Sequence, residues 1–348
     1  MRTNHFESRL AELKRLVRTR NLDAALVHGE ANVRALTGVD CDNACLLVRP
    51  EGAVSQDVFF TDFRYVPMVH RTAPFLAVRD LRRLGAALVA PAHLGCEFEI
   101  SHARYLRLVE RFPKAEFVDL SRDLAALRAV KTPDEIAALR AAESLNDAIW
   151  SEASARFAPG MTEREMARII RVMMIERGDG EAFETIVCVG ANAAECHHVP
   201  DDTVWNGREP VLVDMGVKLG GVCSDLTRNL VPKRPRPIYR QIYELVREAN
   251  RAAIAAVKPG ITGRRLDKVA RDIIRKGGFG RCFGHSLGHG VGYEIHEQPT
   301  ASKRSDVVLK SGMVLTIEPG VYLEGNLGVR IEDMVLVTDS GCEVLSSS

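Results

Sequence analysis

Apolar and polar positions alternate around a glycine pair near the middle of the chain, and this pattern predicts a β-hairpin over residues 211–230. An apolar run, Val211 to Val213, leads into Asp214. Leu219-Gly220-Gly221 supplies turn residues, and alternation resumes after it. A two-residue turn at Leu219 and Gly220 would place Asp214 directly opposite Asp225 on the partner strand.

Two facing carboxylates would be an unusual feature of such a hairpin. At a separation of about 5 Å they repel by roughly 3 kcal/mol at an effective dielectric near 20, and like charges opposite each other destabilise a hairpin. A shared proton or a bound cation would relieve the repulsion. The alternative is a register one residue off, with one aspartate solvated at the strand end.

Helical and strand patterns alternate from the N-terminus to about Val118, which predicts a small α/β domain. Its predicted strands include Ala24–Val27, Leu46–Val48 and Val58–Phe60. The polar-aromatic run Thr61–Tyr65 is more typical of a turn than of a site, and it leaves a role for Arg64 open. We place the domain boundary between residues 127 and 128, which gives domains 1–127 and 128–348.

The second domain begins with a strong helix start and contains an internal repeat. Thr132-Pro133-Asp134-Glu135 combines an N-cap, a proline at the first helical position and a capping box. The segment Pro159–Met166 recurs 100 residues later as Pro259–Leu266, and each copy lies between two helical segments. Chance similarity is the alternative, but we expect a duplicated α+β unit whose halves face each other across one site.

Composition narrows the functional classes. The chain has 348 residues, 46% of them hydrophobic and 27% charged, with a net charge of +1. This balance gives no electrostatic footprint for nucleic acid or for an anionic membrane. The N-terminal segment is amphipathic and charged, without an apolar signal region, and no run of 18 apolar residues occurs. The eight cysteines form no CxxC pair. We therefore expect a cytoplasmic protein with reduced thiols.

Further acidic residues stand in apolar surroundings like those of the hairpin. Glu318 ends the apolar run Met313–Ile317 before a Pro-Gly break, and Glu332 falls within Val329–Val337, whose alternation predicts a strand. A carboxylate in an apolar strand costs free energy unless it is paired or coordinated. With one imidazole nearby, four such carboxylates suit two divalent ions such as Mn, Co, Fe or Zn better than a structural zinc. The GxGxG run at Gly288 lacks the spacing of a dinucleotide loop.

Four motifs occur in the order of a known family: VDMG…CSDLTRN, GHSLGHGVGYEIHE, TIEPG and GVRIED. They resemble the pita-bread metallopeptidases, which include Xaa-Pro aminopeptidases (aminopeptidase P), Xaa-Pro dipeptidases (prolidases), methionine aminopeptidases and creatinase. The resemblance runs from about Lys131 to the C-terminus. The first 125 or so residues are similar to the smaller N-terminal domain of the proline-directed members. The implied fold is α+β: a small α/β domain followed by a duplicated pita-bread domain.

The resemblance also implies site residues and a cofactor. The implied ligands of two divalent ions, with manganese favoured, are Asp214, Asp225, His289, Glu318 and Glu332. Asp225 and Glu332 would contact both ions. The implied catalytic and supporting residues are His197, His296, His285, Glu318, Arg330 and Tyr293. Glu318 would transfer protons, His197 and His296 would donate to the peptide carbonyl and its oxyanion, and Arg330 would orient a metal carboxylate. His198 stands where many relatives have glycine.

The implied substrate is a proline-containing peptide, and a homodimer is the implied assembly. After His-Glu-x-Pro, some dipeptidases carry an arginine that binds the substrate carboxylate, whereas Thr300 follows Pro299 here. This departure favours an Xaa-Pro aminopeptidase, with a prolidase as the alternative. Arg64, Arg304 or a partner subunit could supply the cation. A methionine aminopeptidase would lack the N-terminal domain. A creatinase-like enzyme or a peptide-binding module would lack some of the five ligands.

Overall fold

The computed structural model describes residues 3–347 and divides the chain into two compact units. The first unit is Met1–Arg128 and the second is Ala129–Ser348. Among the described residues, no helix is both long and apolar enough to cross a membrane. Each unit has its own buried core.

The first unit is built on a six-stranded mixed sheet. Its strands are β1 (Ala24–Val27), β2 (Cys45–Val48), β3 (Val58–Thr61), β4 (Ala77–Asp80), β5 (His93–Cys96) and β6 (Glu116–Asp119). Its helices are α1 (Thr3–Thr19), α2 (Glu30–Thr37), α3 (Val66–Thr72), α4 (His102–Arg111) and α5 (Ser121–Ala129). The strand order is β4-β3-β2-β1-β5-β6, with parallel pairs toward both edges and antiparallel pairs at the centre.

The burial of the central strands accounts for their apolar sequences. Every residue of β1 and β2 is buried, which is why both read as short apolar runs without alternation. Side chains of the two faces belong to two separate hydrophobic clusters, one on each side of the sheet. The prediction of a small α/β domain is confirmed, with the strand positions correct to within one residue at each end.

The second unit contains four long helices in two similar pairs. They are α6 (Pro133–Arg156), α7 (Glu163–Arg177), α8 (Pro237–Ala256) and α9 (Gly263–Lys276). Thr132 caps α6 and forms the predicted capping box with Glu135. Thr162 and Thr262 cap the second helix of each pair, and each makes an isolated bridge, to Val204 and Val308 respectively. The repeated segments therefore adopt the same local structure, as the duplication predicts.

The strands of the second unit form several small sheets. They are β7 (Gly180–Glu181), β8 (Ile186–Val189), β9 (Val211–Met215), β10 (Val217–Leu219), β11 (Val222–Cys223), β12 (Leu226–Leu230), β13 (Gly288–Gly290), β14 (Glu297–Ala301), β15 (Val314–Ile317), β16 (Gly320–Leu323), β17 (Leu327–Arg330), β18 (Asp333–Val337) and β19 (Cys342–Val344). The sheet orders are β11-β10-β7, β12-β9-β8, β14-β13-β15-β18-β19 and β16-β17.

The hairpin is present, but its predicted register is wrong. Leu219 pairs with Val222, so the turn consists of Gly220 and Gly221, one residue further along than predicted. Both glycines have positive φ, 59° and 72°. A two-residue turn with positive φ at both positions matches the strand twist, and glycine adopts this conformation without the strain that Leu219 would incur.

The register change moves the two aspartates off a direct pairing. Asp214 lies opposite Thr227, and Asp225 lies just before β12, two residues ahead of that threonine. The side-chain period of two still puts both carboxylates on one side of the ladder, on a diagonal.

The predicted strand Val329–Val337 is also interrupted. The chain leaves β17 at Arg330 and enters β18 at Asp333, so Glu332 lies in the break rather than within a strand. The break arises because β17 pairs with β16 whereas β18 pairs with β15, so the chain changes sheets at this point.

Candidate metal centre

A cavity of about 500 Å³ in the second unit gathers almost all the predicted site residues. Its lining includes the five predicted ligands, Asp214, Asp225, His289, Glu318 and Glu332. It also includes His197, His285, His296 and Arg330. Tyr293 is the exception: it is absent from the lining, and its hydroxyl donates to Glu135 Oε1 at 2.8 Å. The structure therefore places Tyr293 beside the start of α6.

The five ligand candidates lie within strands or directly beside them. Asp214 lies within β9 and His289 within β13, and Glu318 directly follows β15. The amide of Glu318 donates to Leu287 O at 2.8 Å, which ties the end of β15 to the segment before β13. Side chains from the sheet of β9 and from the sheet that contains β13 and β15 thus converge at the cavity.

His289 presents one free nitrogen to the carboxylates. With Nδ1 3.1 Å from Gly290 O, that nitrogen carries the proton, and Nε2 keeps its lone pair. Nε2 lies 3.3 Å from Glu318 Oε1 and 3.5 Å from Asp225 Oδ2. Burial lowers the pKa of His289 to about 4, so the ring is neutral at neutral pH. A neutral imidazole facing carboxylates is the form that binds a metal ion.

The carboxylates themselves repel one another in a buried site. Burial raises the pKa of Asp225 far above its ordinary value, and the charges of Glu332 and Asp214 raise it further. The pKa of Glu332 is raised in the same way, by burial and then by Glu318 and Asp214. Burial raises the pKa of Glu318 to about 8 although Arg330 opposes the shift. Such a set requires protons or cations to be stable.

The spacing and the burial of the donor atoms suit divalent cations. Ligand atoms of Asp225, His289 and Glu332 all lie within 4.8 Å of one another. Oδ1 of Asp214 is buried and has no hydrogen-bond partner among residues 3–347. A buried carboxylate oxygen without a donor carries a desolvation cost that a coordinated cation would remove. The residues therefore fit an oxygen-rich site with one imidazole.

Arg330 donates hydrogen bonds to Asp214 of this cluster and to two neighbouring hydroxyl groups. Its Nη2 donates to Asp214 Oδ2 at 2.5 Å, its Nε donates to Thr227 Oγ1 at 3.0 Å, and its Nη1 donates to the Tyr322 hydroxyl at 3.0 Å. The Thr227 hydroxyl in turn donates to Glu332 Oε2 at 2.6 Å. Arg330 and Thr227 therefore hold two of the carboxylates by hydrogen bonds.

The three histidines predicted to act on substrate surround the cluster. The His296 ring packs against that of His289, with centroids 4.4 Å apart. His285 Nε2 lies 2.9 Å from the Tyr322 hydroxyl, and burial lowers the pKa of His285 to about 4. His197 lines the cavity and is exposed.

Sequence reasoning missed three residues around this site. Thr227 occurs in the quoted motif CSDLTRN but carried no assignment, and Tyr322 four residues after Glu318 had no distinguishing signal. Glu143 is a third: it is fully buried in α6, and its Oε2 accepts from the amide of Asp225 at 3.3 Å. The contacts of Thr227 with Glu332, of Tyr322 with His285 and of Glu143 with Asp225 join residues 105, 37 and 82 positions apart, so local patterns could not reveal them.

Comparison with known proteins agrees with this architecture. A model of metallopeptidase family M24 matches residues 137–339, and a model of the Creatinase/Prolidase N-terminal domain matches residues 9–130. An Xaa-Pro dipeptidase from Lactobacillus helveticus is 43% identical over 248 residues, which cover 70% of this chain and 67% of that protein.

Solved structures are similar over nearly the whole chain. Prolidase from Pyrococcus furiosus has a TM-score of 0.90 at 32% identity, covering 96% of this chain and 99% of that one. An X-Pro aminopeptidase from Thermotoga maritima has a TM-score of 0.86 at 30% identity, covering 96% and 98%.

The duplicated α+β unit and its carboxylate-rich cavity define the pita-bread class of metalloenzyme, so the predicted fold is confirmed. The chain belongs to metallopeptidase family M24. The prediction that it is an enzyme of the metallopeptidase class is confirmed with it.

Proposed function

We propose that this protein is an Xaa-Pro dipeptidase that uses two divalent metal ions. The observation that carries the proposal is the buried cluster of four carboxylates and one neutral imidazole in a substrate-sized cavity. The Lactobacillus relative and the Pyrococcus structure, named a dipeptidase and a prolidase, support the substrate class. Because of these names we favour the dipeptidase over the aminopeptidase that the sequence alone favoured.

An Xaa-Pro aminopeptidase is the second candidate, and Thr300 favours it. Thr300 lines the cavity and follows Pro299, the position after which some dipeptidases of the family carry an arginine for the substrate carboxylate. Arg330 is the one lysine or arginine in the described cavity lining, and its donors already serve Asp214, Thr227 and Tyr322. A peptide extending beyond proline would not need a carboxylate partner there.

The five clustered residues are the proposed ligands, with manganese as the favoured ion. When bound, the two ions would lower the pKa of a water molecule and stabilise negative charge on the reacting oxygens. Asp214, Asp225, Glu318 and Glu332 offer the hard oxygen donors that such ions prefer, and His289 offers Nε2.

The protein's own groups complete the proposed reaction. A carboxylate oxygen of Glu318 takes a proton from the attacking water and returns it to the proline nitrogen, which has no N–H of its own. His197 donates a hydrogen bond to the peptide carbonyl, and His296 donates to the oxyanion that develops from it. His285, held by the Tyr322 hydroxyl, orients the substrate.

Apolar residues at the cavity wall are the proposed contacts of the substrate side chains and the proline ring. They are Phe183, Ile186, Val199, Pro200 and Ile295. An apolar wall suits a pyrrolidine ring because it offers contact area without requiring a donor or acceptor.

The proposal is tested by assaying metal-free protein, with and without added Mn, Co or Zn, on Gly-Pro and on a longer Gly-Pro-Xaa peptide. We expect metal-dependent cleavage of Gly-Pro. Cleavage of the longer peptide alone would establish the aminopeptidase instead. Failure to cleave either peptide, with two metal equivalents bound, would overturn the proline-directed function.

We also propose a homodimer, because the family resemblance implies one. Sedimentation equilibrium of the metal-loaded protein tests it, and a mass of one chain across micromolar concentrations would contradict it.

A further inference from the structure

A second cluster of acidic and imidazole groups lies beside the cavity and takes no part in the proposed ligand set. Ligand atoms of Glu163, His198 and Asp201 lie within 4.8 Å of one another. Glu163 is completely buried, and His198 is 9% exposed. A carboxylate with no solvent contact must have a structural or functional reason to be there.

The Glu163 carboxylate is fully occupied by hydrogen bonds. Its Oε1 accepts from the Val189 amide at 2.6 Å and from Asn192 Nδ2 at 2.9 Å. Its Oε2 accepts from His198 Nε2 at 2.7 Å and from the Asp201 amide at 3.1 Å. Glu163 is also the first residue of α7, where the helix dipole stabilises a negative charge. The anion is therefore satisfied without a metal ion.

The four donors lie on both sides of His197 in the sequence. Two precede it and two follow it, so one carboxylate holds both arms of the loop 190–200. His198 is anchored on its other side as well, since Nδ1 lies 3.2 Å from Glu195 Oε2. Burial lowers the pKa of His198, but the hydrogen bonds of Glu163 and Glu195 outweigh it and raise the pKa above its ordinary value.

The internal repeat shows that this arrangement belongs to one half only. The residue equivalent to Glu163 in the second copy is Gly263. A Cβ on Gly263 would lie 2.2 Å from Thr300 O, so the backbone of β14 occupies the space of a side chain. In the second half a strand packs directly on the helix start, whereas in the first half a side chain bridges the helix start to a loop.

We propose that Glu163 is a positioning residue for His197, acting through His198 and the backbone of loop 190–200. The inference rests on the proposed function, in which His197 donates to the peptide carbonyl. It assigns a purpose to His198, the residue that departs from the glycine common in relatives: its imidazole extends the loop's attachment to α7.

The test is the substitution Glu163→Gln, which keeps the shape of the side chain but replaces one acceptor oxygen by an amide donor. Displacement of a catalytic group by about 1 Å can cost roughly 100-fold in rate. We therefore expect kcat on Gly-Pro to fall by about 10- to 100-fold, with a smaller rise in KM, because the hydrogen bond from His197 to the carbonyl oxygen strengthens as negative charge develops there.

The double variant with His197→Ala separates positioning from general destabilisation. If Glu163 acts through His197, then Glu163→Gln lowers kcat no further once His197 is replaced. If the two losses multiply, the proposal is overturned. Should Glu163→Gln fail to fold, His198→Leu removes one of the four donors and enters the same cycle, with the same two outcomes.

Glu165→Gln is the matched control. Glu165 lies in the same first turn of α7, is exposed, and belongs to the capping box of Thr162 rather than to the loop. We expect it to leave kcat within about twofold, in line with surface substitutions. An equal loss of kcat in both variants would assign the effect to the helix start and contradict the proposal.

Amide hydrogen exchange provides a measurement that does not depend on activity. Exchange across residues 189–201 should be faster in Glu163→Gln than in Glu165→Gln, with metal content unchanged in both. If the wild-type protein cleaves neither peptide while this difference is present, the proposed function fails and the loop attachment stands. If exchange is the same in both variants, the positioning role fails even in an active enzyme.

Discussion

Two clusters in the catalytic unit each combine two carboxylates and one histidine, yet they lead to opposite conclusions. In one, Asp225, His289 and Glu332, the largest charge effects on the two acids come from other carboxylates. In the other, Glu163 receives four hydrogen bonds from donors around it. Both clusters contain one aspartate, one histidine and one glutamate, and in both the ligand atoms lie within 4.8 Å of one another.

The hydrogen-bond donors around the acids, rather than the acids themselves, therefore distinguish a metal site from a structural cluster. A buried carboxylate surrounded by N–H groups is stable as an anion. A buried carboxylate surrounded by other carboxylates requires an added positive charge.

Replacing one acid in each cluster should separate them most clearly. Asp225→Asn should lose at least one metal equivalent and lower kcat by about 1000-fold, since the ions contribute several kcal/mol to the transition state. Asp201→Asn should keep both equivalents. Metal content by mass spectrometry and kcat on Gly-Pro are the measurements, and metal loss in Asp201→Asn would contradict the comparison.

Removing a donor from the metal cluster should weaken metal binding less severely. Thr227→Val deletes the hydroxyl that donates to Glu332 and accepts from Arg330. We expect metal affinity to fall by roughly 10- to 100-fold, as for other residues that orient ligands. Calorimetric titration measures it, and Thr227→Ser, which keeps the hydroxyl, should bind almost normally. Equal affinity in the valine variant would show that the hydroxyl does not orient Glu332.

The metal-free protein should lose stability as the pH rises above about 6.5. Asp225, Glu318 and Glu332 have raised pKa values when folded, so their contribution is complete below their unfolded values and is lost as the pH rises through the folded ones, about 8 for Glu318. His285 and His289 have lowered pKa values and oppose this only below about 6.5, their ordinary pKa.

Melting of metal-free and metal-loaded protein across this pH range measures the effect. The gap between their midpoints should widen by several degrees, because about 1 kcal/mol shifts a domain of this size by roughly 2–4 °C. Both forms share the titration of His198, which therefore cancels from the gap. A constant gap would mean that ionisation of these acids does not destabilise the metal-free protein.

The smallest expected effect concerns His198. Its folded pKa lies above the ordinary 6.5, so its stabilising contribution is complete below 6.5 and is lost as the pH rises through the folded value. The advantage of the wild type over His198→Gln in urea unfolding should therefore be larger at about pH 6 than at about pH 9. A larger advantage at the higher pH would reverse the sign and contradict the pairing with Glu163.

Local patterns predicted much of this molecule because local chemistry forms it. The capping box at Thr132 and Glu135, the buried strand β1 and the Pro-Gly break after Glu318 all depend on neighbouring residues. The ligand candidates stood out because acids in apolar segments are costly.

Features that depend on the conformation of a turn or on distant contacts were mispredicted or missed. The hairpin register depended on which of three consecutive turn residues could adopt positive φ, and Gly220-Gly221 met that requirement. Glu332 fell outside a strand because its neighbours pair with two different sheets. The role of Glu163 required the fold, since its donors lie 26 to 38 residues away.

Arg330 also contributes to the long-range electrostatic field of the cavity. The buried charges of the site are four carboxylates and this one guanidinium, three negative charges when all are ionised. Two divalent cations would turn that excess into one positive charge. Loading would then make the field at the cavity mouth more positive, so an anionic peptide terminus would encounter the loaded site faster than the empty one. Added salt should reduce this difference in encounter rate.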